Sequence, residues 1–283
     1  MLIRRLGNGI IPGKYLMKNC GLTAIVLLCA LSAFAQDNVE TTMKRSIEAN
    51  ERDWAAAPEL DYLERDRDPG GSKTYAVIML FGSPYQRLIA VNEHPLSRSK
   101  KAEEQKKFEK AVAERRSESP EKRSERVAKY EAERKRDHTM MQQLTMGFDF
   151  NLLGQQQLKG HKVYVLKATP RKGYRPPDRD SKVLTGMEGK MWVDRSTFQW
   201  VKVEAHVTHP VSIEGFLAEV EPGTEFELEK SPVSGDIWLA THFSMKSNAK
   251  VMHLVSRHSQ QDITYFNYHR GEAAGKQPLA PAR

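Results

Sequence analysis

The residues with the clearest potential for chemistry are nine histidines, two pairs of which lie close together in the chain: His206 with His209, and His253 with His258. Imidazole nitrogens are common zinc ligands, so each pair could mark a metal site. On a β-strand, however, residues three apart point to opposite faces, and His206 and His209 would converge only at a bend near Pro210. No cysteine or clustered carboxylate accompanies either pair. We therefore expect surface histidines, with no metal and no other cofactor.

Patterns for other kinds of catalysis are also missing. No Gly-x-Ser-x-Gly sequence occurs, and the Ser, His and Asp residues are too scattered to indicate a catalytic triad. The DPGG stretch at 68–71 is typical of a turn and lacks a phosphate-loop pattern. We expect a protein that is not an enzyme, and a hydrolase with an unrecognised site remains an alternative.

Residues 17–35 (MKNCGLTAIVLLCALSAFA) have the layout of a secretory signal peptide. A basic residue, Lys18, precedes an apolar run that ends in the small-x-small sequence at 33–35, which predicts cleavage after Ala35. The run is shorter than the roughly 20 residues that a membrane-spanning helix needs. The sequence thus predicts a signal peptide over 1–35, with translation starting at Met1 or Met17, and a periplasmic protein that does not span the membrane.

Export narrows the possible functions, because it excludes DNA binding, nucleotide-driven chemistry and cytosolic metabolism. Both cysteines, Cys20 and Cys29, lie in the predicted signal peptide, so the mature chain forms no disulfide. A lipoprotein processing site at Cys29 is an alternative that Leu28 disfavours, because that site needs a small residue there. The leader also contains four basic and no acidic residues, and its removal halves the formal net charge of +8.

The mature chain begins with a predicted helix over 38–55, whose apolar residues recur every three to four positions. Three strands are predicted to follow, around Leu60 and Tyr62, over 73–81 and over 85–91. A short link containing Gly82 and Pro84 favours a hairpin between the last two.

Between residues 98 and 137 more than half of the side chains are charged. Helix formers dominate, and Ser119 followed by Pro120 is typical of a helix start. We therefore predict two helices, over 97–117 and 120–145. Their basic excess could form a surface for nucleic acid or lipid headgroups, but the mixed signs favour a solvated helical hairpin, and we expect no nucleic-acid partner.

Beyond residue 148 the sequence is dominated by short β-strands. Valines at 201, 203 and 207 alternate with polar residues, as expected of antiparallel strands with one buried face. The predicted strands are 162–168, 189–195, 198–207, 211–218, 224–230, 236–246, 250–257 and 261–269. A sheet of about 10 or 11 strands must curl or close to protect its edges and bury its apolar face. We predict an α+β protein with a large curled antiparallel sheet, helices packed in its hollow and a charged helical hairpin inserted.

Tryptophans on these strands could pack in the core or line a ligand cavity. Alternation places Trp200 and Trp238 opposite Val201 and Leu239. If the aliphatic faces line the hollow, both tryptophans face away from it.

Two local motifs carry a family resemblance. The first is FDF at 148–150 followed by GHKVYVL at 160–166, and the second is GKMWVD at 189–194, which runs into a strand over 198–204. With the signal peptide, the first helix and the strand meander, they resemble the outer-membrane lipoprotein-sorting (LolA/LolB-like) superfamily. The resemblance implies one LolA-like domain over 36–270 with a helical insertion at 97–145, and a disordered tail over 271–283.

The resemblance also implies that the sheet forms an unclosed β-barrel around an apolar cavity that holds acyl chains. The expected function is a periplasmic carrier or sensor for a lipid or lipoprotein. The candidate ligand contacts are ten side chains on the predicted strands: Val77, Met79, Val163, Val165, Val201, Val203, Leu239, Phe243, Ile263 and Tyr265. The alternative is an envelope protein–protein interaction module that uses the charged helices at 97–145, with neither ligand nor catalysis.

Overall fold

The computed structural model describes residues 39–213, 218–251 and 255–271. The predicted signal peptide lies outside the described residues, as does the predicted disordered tail apart from Gly271. Within the described part of the chain, no helix is both long and apolar enough to span a membrane.

The described residues contain three α-helices, and the sequence predicted each to within about one residue at either end. Helix α1 covers 39–56, α2 is Arg98–Ser117 and α3 is Pro120–Met146. The side chains of Ser97 and Ser119 each accept a hydrogen bond from the backbone N–H three residues later, which caps α2 and α3. Short 3-10 helices occur at Ala57–Glu59 and Asp180–Gly186.

In the described part of the chain, thirteen strands form one antiparallel sheet. They are β1 Leu60–Asp68, β2 Gly71–Leu80, β3 Ser83–Val91, β4 His94–Pro95, β5 Phe148–Leu158, β6 His161–Pro170, β7 Met187–Asp194, β8 Trp200–Val207, β9 Val211–Ser212, β10 Ala218–Val220, β11 Glu225–Ser234, β12 Ile237–Val251 and β13 Val255–Arg270. Eleven of them follow the order β4-β3-β2-β1-β13-β12-β11-β8-β7-β6-β5, while β10 pairs with β12 and β9 pairs with β10. The two end strands do not pair within the described residues, so the predicted α+β fold with an unclosed antiparallel sheet is confirmed.

Two strand predictions were wrong in detail, and one strand was missed. The predicted strand 250–257 includes the end of β12 at Val251 and the start of β13 at Val255, and β13 continues through the predicted strand 261–269 to Arg270. Within the predicted strand 211–218, Val211–Ser212 forms β9 and Ala218 begins β10, and 214–217 lie outside the described residues. Strand β5 was missed because its glutamines at 155–157 interrupt the apolar alternation.

Helices α1 and α3 cover one face of the sheet. Val39 and Met43 of α1 belong to the main buried cluster, and Met140, Met141 and Leu144 of α3 pack against it. Residues from β5 to β8 supply the rest of this cluster, which we call the helix-side cluster. The helices therefore bury the apolar face of the sheet, as the sequence predicted.

Helices α2 and α3 contact the β2–β3 hairpin from opposite faces. Tyr130 of α3 places its hydroxyl 4.0 Å from the sulfur of Met79, whereas Phe108 of α2 packs on Tyr85 with ring centroids 5.6 Å apart. Met79 pairs with Pro84, the neighbour of Tyr85, so Met79 and Tyr85 point to opposite faces.

Two arginines fix the helical hairpin to the turn between β2 and β3. Arg115 donates to the carbonyl oxygens of Leu80, Ser83 and Pro84 at 2.9 to 3.1 Å. Arg126 donates to the Ser83 hydroxyl at 2.7 Å and forms a fork with Glu118. These charge-assisted hydrogen bonds, rather than buried apolar area, hold α2 on the sheet, since α2 has no buried residue.

We expect Arg126→Ala to lower the free energy of unfolding by about 1 to 3 kcal/mol, because it removes charge-assisted hydrogen bonds from a half-buried site. Urea denaturation measures this loss, and limited proteolysis should cut 98–146 faster. Lys110→Ala is the control, because Lys110 pairs only with Glu114 at 3.7 Å and both side chains are exposed. Equal free energies of unfolding for the two variants would contradict a stabilising role for the hydrogen bonds of Arg126.

Candidate ligand-binding site

Two adjoining cavities lie between the helices and the sheet. The first, which we call the Lys230 cavity, has a volume of about 320 Å3. The second, which we call the Phe243 cavity, has a volume of about 710 Å3. Both volumes are within the range of about 300 to 1,000 Å3 that is usual for small-molecule sites.

The Lys230 cavity is bordered by α1, α3 and the strands β8, β11 and β12. Its larger apolar lining residues are Ile47, Trp54, Met141, Trp200, Leu228 and Leu239. Lys230 and Asp53 are the most deeply buried of its polar residues. The cavity therefore combines large apolar side chains with several polar groups, the usual layout of a ligand site.

The Phe243 cavity is lined on one side by α3 and on the other by β11 and β12. Its apolar residues are Met140, Met141, Phe226, Leu228 and Phe243. The rings of Phe226 and Phe243 meet edge to face with centroids 5.4 Å apart. Charged residues, including Arg136 and Asp180, complete its lining.

Asp137, Met141 and Leu228 line both cavities, so the two spaces are neighbours. Met141 lies on α3 and Leu228 on the facing strand β11. A ligand that passed between these two side chains would occupy both cavities. We call the combined space the hollow.

A buried ion pair lies at the polar end of the Lys230 cavity. The Lys230 ammonium donates to Asp53 Oδ2 at 2.8 Å and to Asn50 Oδ1 at 2.7 Å. Asp53 Oδ1 accepts from the backbone N–H of Trp238 at 3.0 Å and from the Gln199 amide at 3.2 Å. Burial lowers the pKa of Lys230, and the charge of Asp53 opposes that effect.

A polar cluster joins α1 to α3 beside this cavity. His138 stacks on Trp54 with ring centroids 4.3 Å apart and contacts Glu51 at 2.9 Å. Gln142 also donates to Glu51, at 2.9 Å. Arg134 lies over the Trp54 ring and donates to the Trp54 carbonyl oxygen. These contacts are largely polar, whereas those of the helix-side cluster are apolar.

The structure places seven of the ten predicted ligand contacts on the face that α1 and α3 cover. Leu239 lines the Lys230 cavity and Phe243 the second cavity, while Val203 belongs to the helix-side cluster. Ile263 pairs with Phe243 across β12 and β13. The remaining three lie farther along the same face, towards β2: Val77, Met79 and Tyr265.

Three predicted contacts lie elsewhere. Val163, Val165 and Val201 belong to a second buried cluster together with Trp192 and Trp238. Val193 is in the helix-side cluster, so its neighbour Trp192 and the second cluster occupy the opposite face. The structure therefore separates these valines from the hollow.

A bulge in β8 accounts for the misplacement of Val201. Trp192 pairs with Lys202, but Val193 pairs with Trp200, which leaves Val201 as an extra residue. One extra residue shifts the alternation, so Val201 and Val203 do not share a face as the sequence predicted. Trp200, predicted to face away from the hollow, instead lines the Lys230 cavity.

Three tyrosines extend the helix-covered face near β1. Tyr62 lies with its ring centroid 5.9 Å from that of Tyr265 and 5.2 Å from that of Tyr268. Burial is the main reason why the pKa values of all three are raised far above 10. This part of the face is packed with aromatic side chains, whereas the cavities occur towards β11.

Sequence reasoning missed Met141, Leu228, Asp53 and Lys230. One signal could have identified the last, because Lys230 continues the alternation of Phe226 and Leu228 and thus lies on the buried face of its strand. A lysine on a buried face needs a hydrogen-bond acceptor or a counter-charge, because burial of an unpaired charge is unfavourable. Nothing in the sequence identifies Asp53 as that partner, 177 residues away.

Neither predicted histidine pair forms a metal-ligand group within the described residues. His258 contacts Asn248 at 2.7 Å, and His253 lies outside the described part of the chain. The group whose ligand atoms do converge, within 4.8 Å, is Glu227, Glu229 and His242.

Lysines already pair with both glutamates of that group. Lys202 contacts Glu227 at 3.1 Å, and Lys159 forms an ion pair with Glu229. The arrangement is thus explained as a surface ion-pair network.

No family model and no curated protein matches the chain. Among solved structures, a LolA superfamily protein from Nitrosomonas europaea matches at 12% identity, covering 75% of this chain and 86% of that one, with a TM-score of 0.27. A putative outer membrane lipoprotein-sorting protein domain from Vibrio parahaemolyticus matches at 11% identity over 79% and 91%, with a TM-score of 0.32. The MucA/MucB complex of Pseudomonas aeruginosa matches at 10% identity over 81% and 99%, with a TM-score of 0.20.

The lipoprotein-sorting group that the sequence resembles therefore recurs among the solved structures. At these identities and TM-scores, we base the function of this chain on its own residues.

Proposed function

We propose that this protein is an exported, periplasmic carrier or sensor that holds an acyl chain of a lipid or lipoprotein in the hollow. The observation that carries the proposal is the pair of adjoining cavities between α3 and the sheet. The role is one of binding rather than catalysis. Residues 17–35, with the pattern of a signal peptide, support the location.

Burial of apolar surface would supply the affinity. Each methylene group moved from water into an apolar site contributes about 0.8 kcal/mol. Met141 and Leu228 would contact the middle of the chain, because they line both cavities, and Phe226 and Phe243 would contact the part in the larger cavity.

Separation of α3 from the sheet would admit the ligand. The methionines of α3 supply unbranched, adaptable side chains at this boundary, which suits chains of different length. The polar contacts of His138 and Gln142 with Glu51 would re-form when α3 closes over the ligand.

We expect Met141→Trp to weaken binding of the apolar dye N-phenyl-1-naphthylamine at least about tenfold, or 1.4 kcal/mol. The larger side chain would fill the passage between the two cavities without adding charge. Dye fluorescence titrated against purified protein measures the affinity.

Met146→Trp is the matched control, since Met146 lies on the same helix but is 50% exposed and lines neither cavity. It should bind the dye as the unaltered protein does. Equal weakening in both variants, or no dye binding by the unaltered protein, would argue against the hollow as the site.

A second candidate function is an envelope protein–protein interaction module based on the helices at 97–145. The observation that favours it is the surface of α2, which has no buried residue and is rich in charge. In this account the hollow is only incompletely packed core. A protein that binds neither dye nor acyl species would favour this candidate.

A further inference from the structure

We propose that Lys230 binds the carbonyl oxygen of a neutral acyl ester or amide in the Lys230 cavity. This inference rests on the proposed function and adds the chemical class of the ligand's polar group. It assigns Lys230 a role beyond its ion pair with Asp53.

The first support is the hydrogen-bonding capacity of Lys230. An ammonium group has three protons to donate. The described residues offer its nitrogen two acceptors, Asn50 Oδ1 and Asp53 Oδ2. Because Lys230 lines the cavity, a ligand oxygen there can accept the third proton.

The second support is an unmatched donor at the same cavity. The indole nitrogen of Trp54 is buried, and none of the described residues accepts a hydrogen bond from it. Trp54 also lines the Lys230 cavity. A buried donor without a partner is unfavourable. This nitrogen has almost no accessible surface, so a ligand oxygen would reach it only when the side chains around Trp54 shift.

Both carboxylate oxygens of Asp53 already accept hydrogen bonds. Asp53 Oδ1 accepts from Trp238 and Gln199, while Oδ2 accepts from Lys230. Glu51 Oε1 contacts Gln142 and His138. The site therefore suits a ligand group that accepts hydrogen bonds, such as a carbonyl oxygen.

The balance of charge favours a neutral group over a carboxylate. Asp53 already neutralises Lys230 at 2.8 Å, and Glu51 and Asp137 also line the cavity. Arg134 also lines the cavity, but it already forms an ion pair with Glu131 at 2.8 Å. A free carboxylate would add an uncompensated negative charge beside Asp53, whereas an ester or amide adds none.

The geometry also gives the ligand a direction. The carbonyl would lie near Lys230, and the chain would pass between Met141 and Leu228 into the cavity lined by Phe243.

Competition against the apolar dye can test this proposal with three probes of equal chain length. They are 1-monolauroylglycerol, its ether analogue 1-O-dodecylglycerol, which lacks the carbonyl, and laurate. We expect the ester to bind about tenfold more tightly than the ether, since a tenfold ratio corresponds to about 1.4 kcal/mol, and laurate at neutral pH to bind more weakly than the ester. In the double variant Asp53→Asn/Lys230→Met, which keeps the pair neutral, ester and ether should bind equally.

The outcomes separate the two proposals. Equal binding of ester and ether by the unaltered protein would overturn the role of Lys230 but leave acyl binding intact. Tighter binding of laurate than of the ester would overturn the neutral-group assignment. Failure of all three probes to displace the dye would overturn the acyl-binding function and this inference together. The first comparison needs no variant, so it holds even if the double variant does not fold.

Discussion

Asp53→Ala should lower the free energy of unfolding by about 3 to 5 kcal/mol, because it leaves the ammonium of Lys230 buried without its counter-charge. Asp53 is 2% exposed. The change also removes the acceptor for the backbone N–H of Trp238 and for the amide of Gln199. Urea denaturation followed by tryptophan fluorescence measures the loss.

The loss should depend on pH in a defined direction. Without Asp53, burial alone would act on Lys230 and depress its pKa further in the folded state. Between that lowered value and the unfolded value near 10.4, the unfolded chain binds more protons, so the stability of the variant should rise with pH. A stability that falls with pH across this window would contradict an unpaired buried lysine.

Two controls define the origin of the effect. Asp53→Asn keeps an acceptor for Trp238 but removes the charge, and should cost less than Asp53→Ala. Glu131→Ala removes a partly exposed partner of Arg134 and should cost about 1 kcal/mol or less. A loss below 1 kcal/mol for Asp53→Ala would show that the pair is not a buried structural element.

Trp200→Ala should lower the free energy of unfolding by a similar amount, about 3 to 5 kcal/mol, because it opens a cavity in the largest buried cluster. Trp200 is 2% exposed and joins β8 to α1 through a hydrogen bond from its indole nitrogen to the Ser46 hydroxyl. Thermal and urea unfolding both measure the loss.

Smaller changes at the same contact separate packing from hydrogen bonding. Trp200→Phe keeps most of the ring and should cost less than Trp200→Ala. Ser46→Ala leaves the indole N–H buried without its acceptor and should cost about 1 to 3 kcal/mol. A Trp200→Ala variant as stable as the unaltered protein would contradict the packing of α1 on β8.

The helices and most of the sheet could be predicted because their signals are local. Ser119 marked the start of α3, since a hydroxyl that accepts an early backbone N–H fixes a helix end. Alternating valines predicted β8, because one face of that strand is buried.

The long arm of β12 and β13 could not be predicted, because its stability comes from pairing rather than from apolar burial. Lys246 pairs with Gln260 and Asn248 with His258, so polar residues continue the ladder where alternation stops. A polar stretch that would be a loop alone becomes a strand beside a partner.

The positions of the ligand contacts depended on features that a single strand does not encode. Val201 is an extra residue in β8, so the strand before it points to the opposite face from the one that simple alternation predicts. Trp200 therefore lines the hollow, and Val201 lies on the other face of the sheet. The pairing of Lys230 with Asp53 likewise depends on how α1 packs on the sheet. Leu239 and Phe243, two of the predicted contacts, line the cavities.

Mass spectrometry of organic extracts from the purified mature protein tests the central claim most directly. The account predicts that acyl species copurify with the unaltered protein and with Met146→Trp, and that Met141→Trp carries far less. Protein free of acyl species in all three preparations, or an equal load in both variants, would contradict a ligand held between Met141 and Leu228.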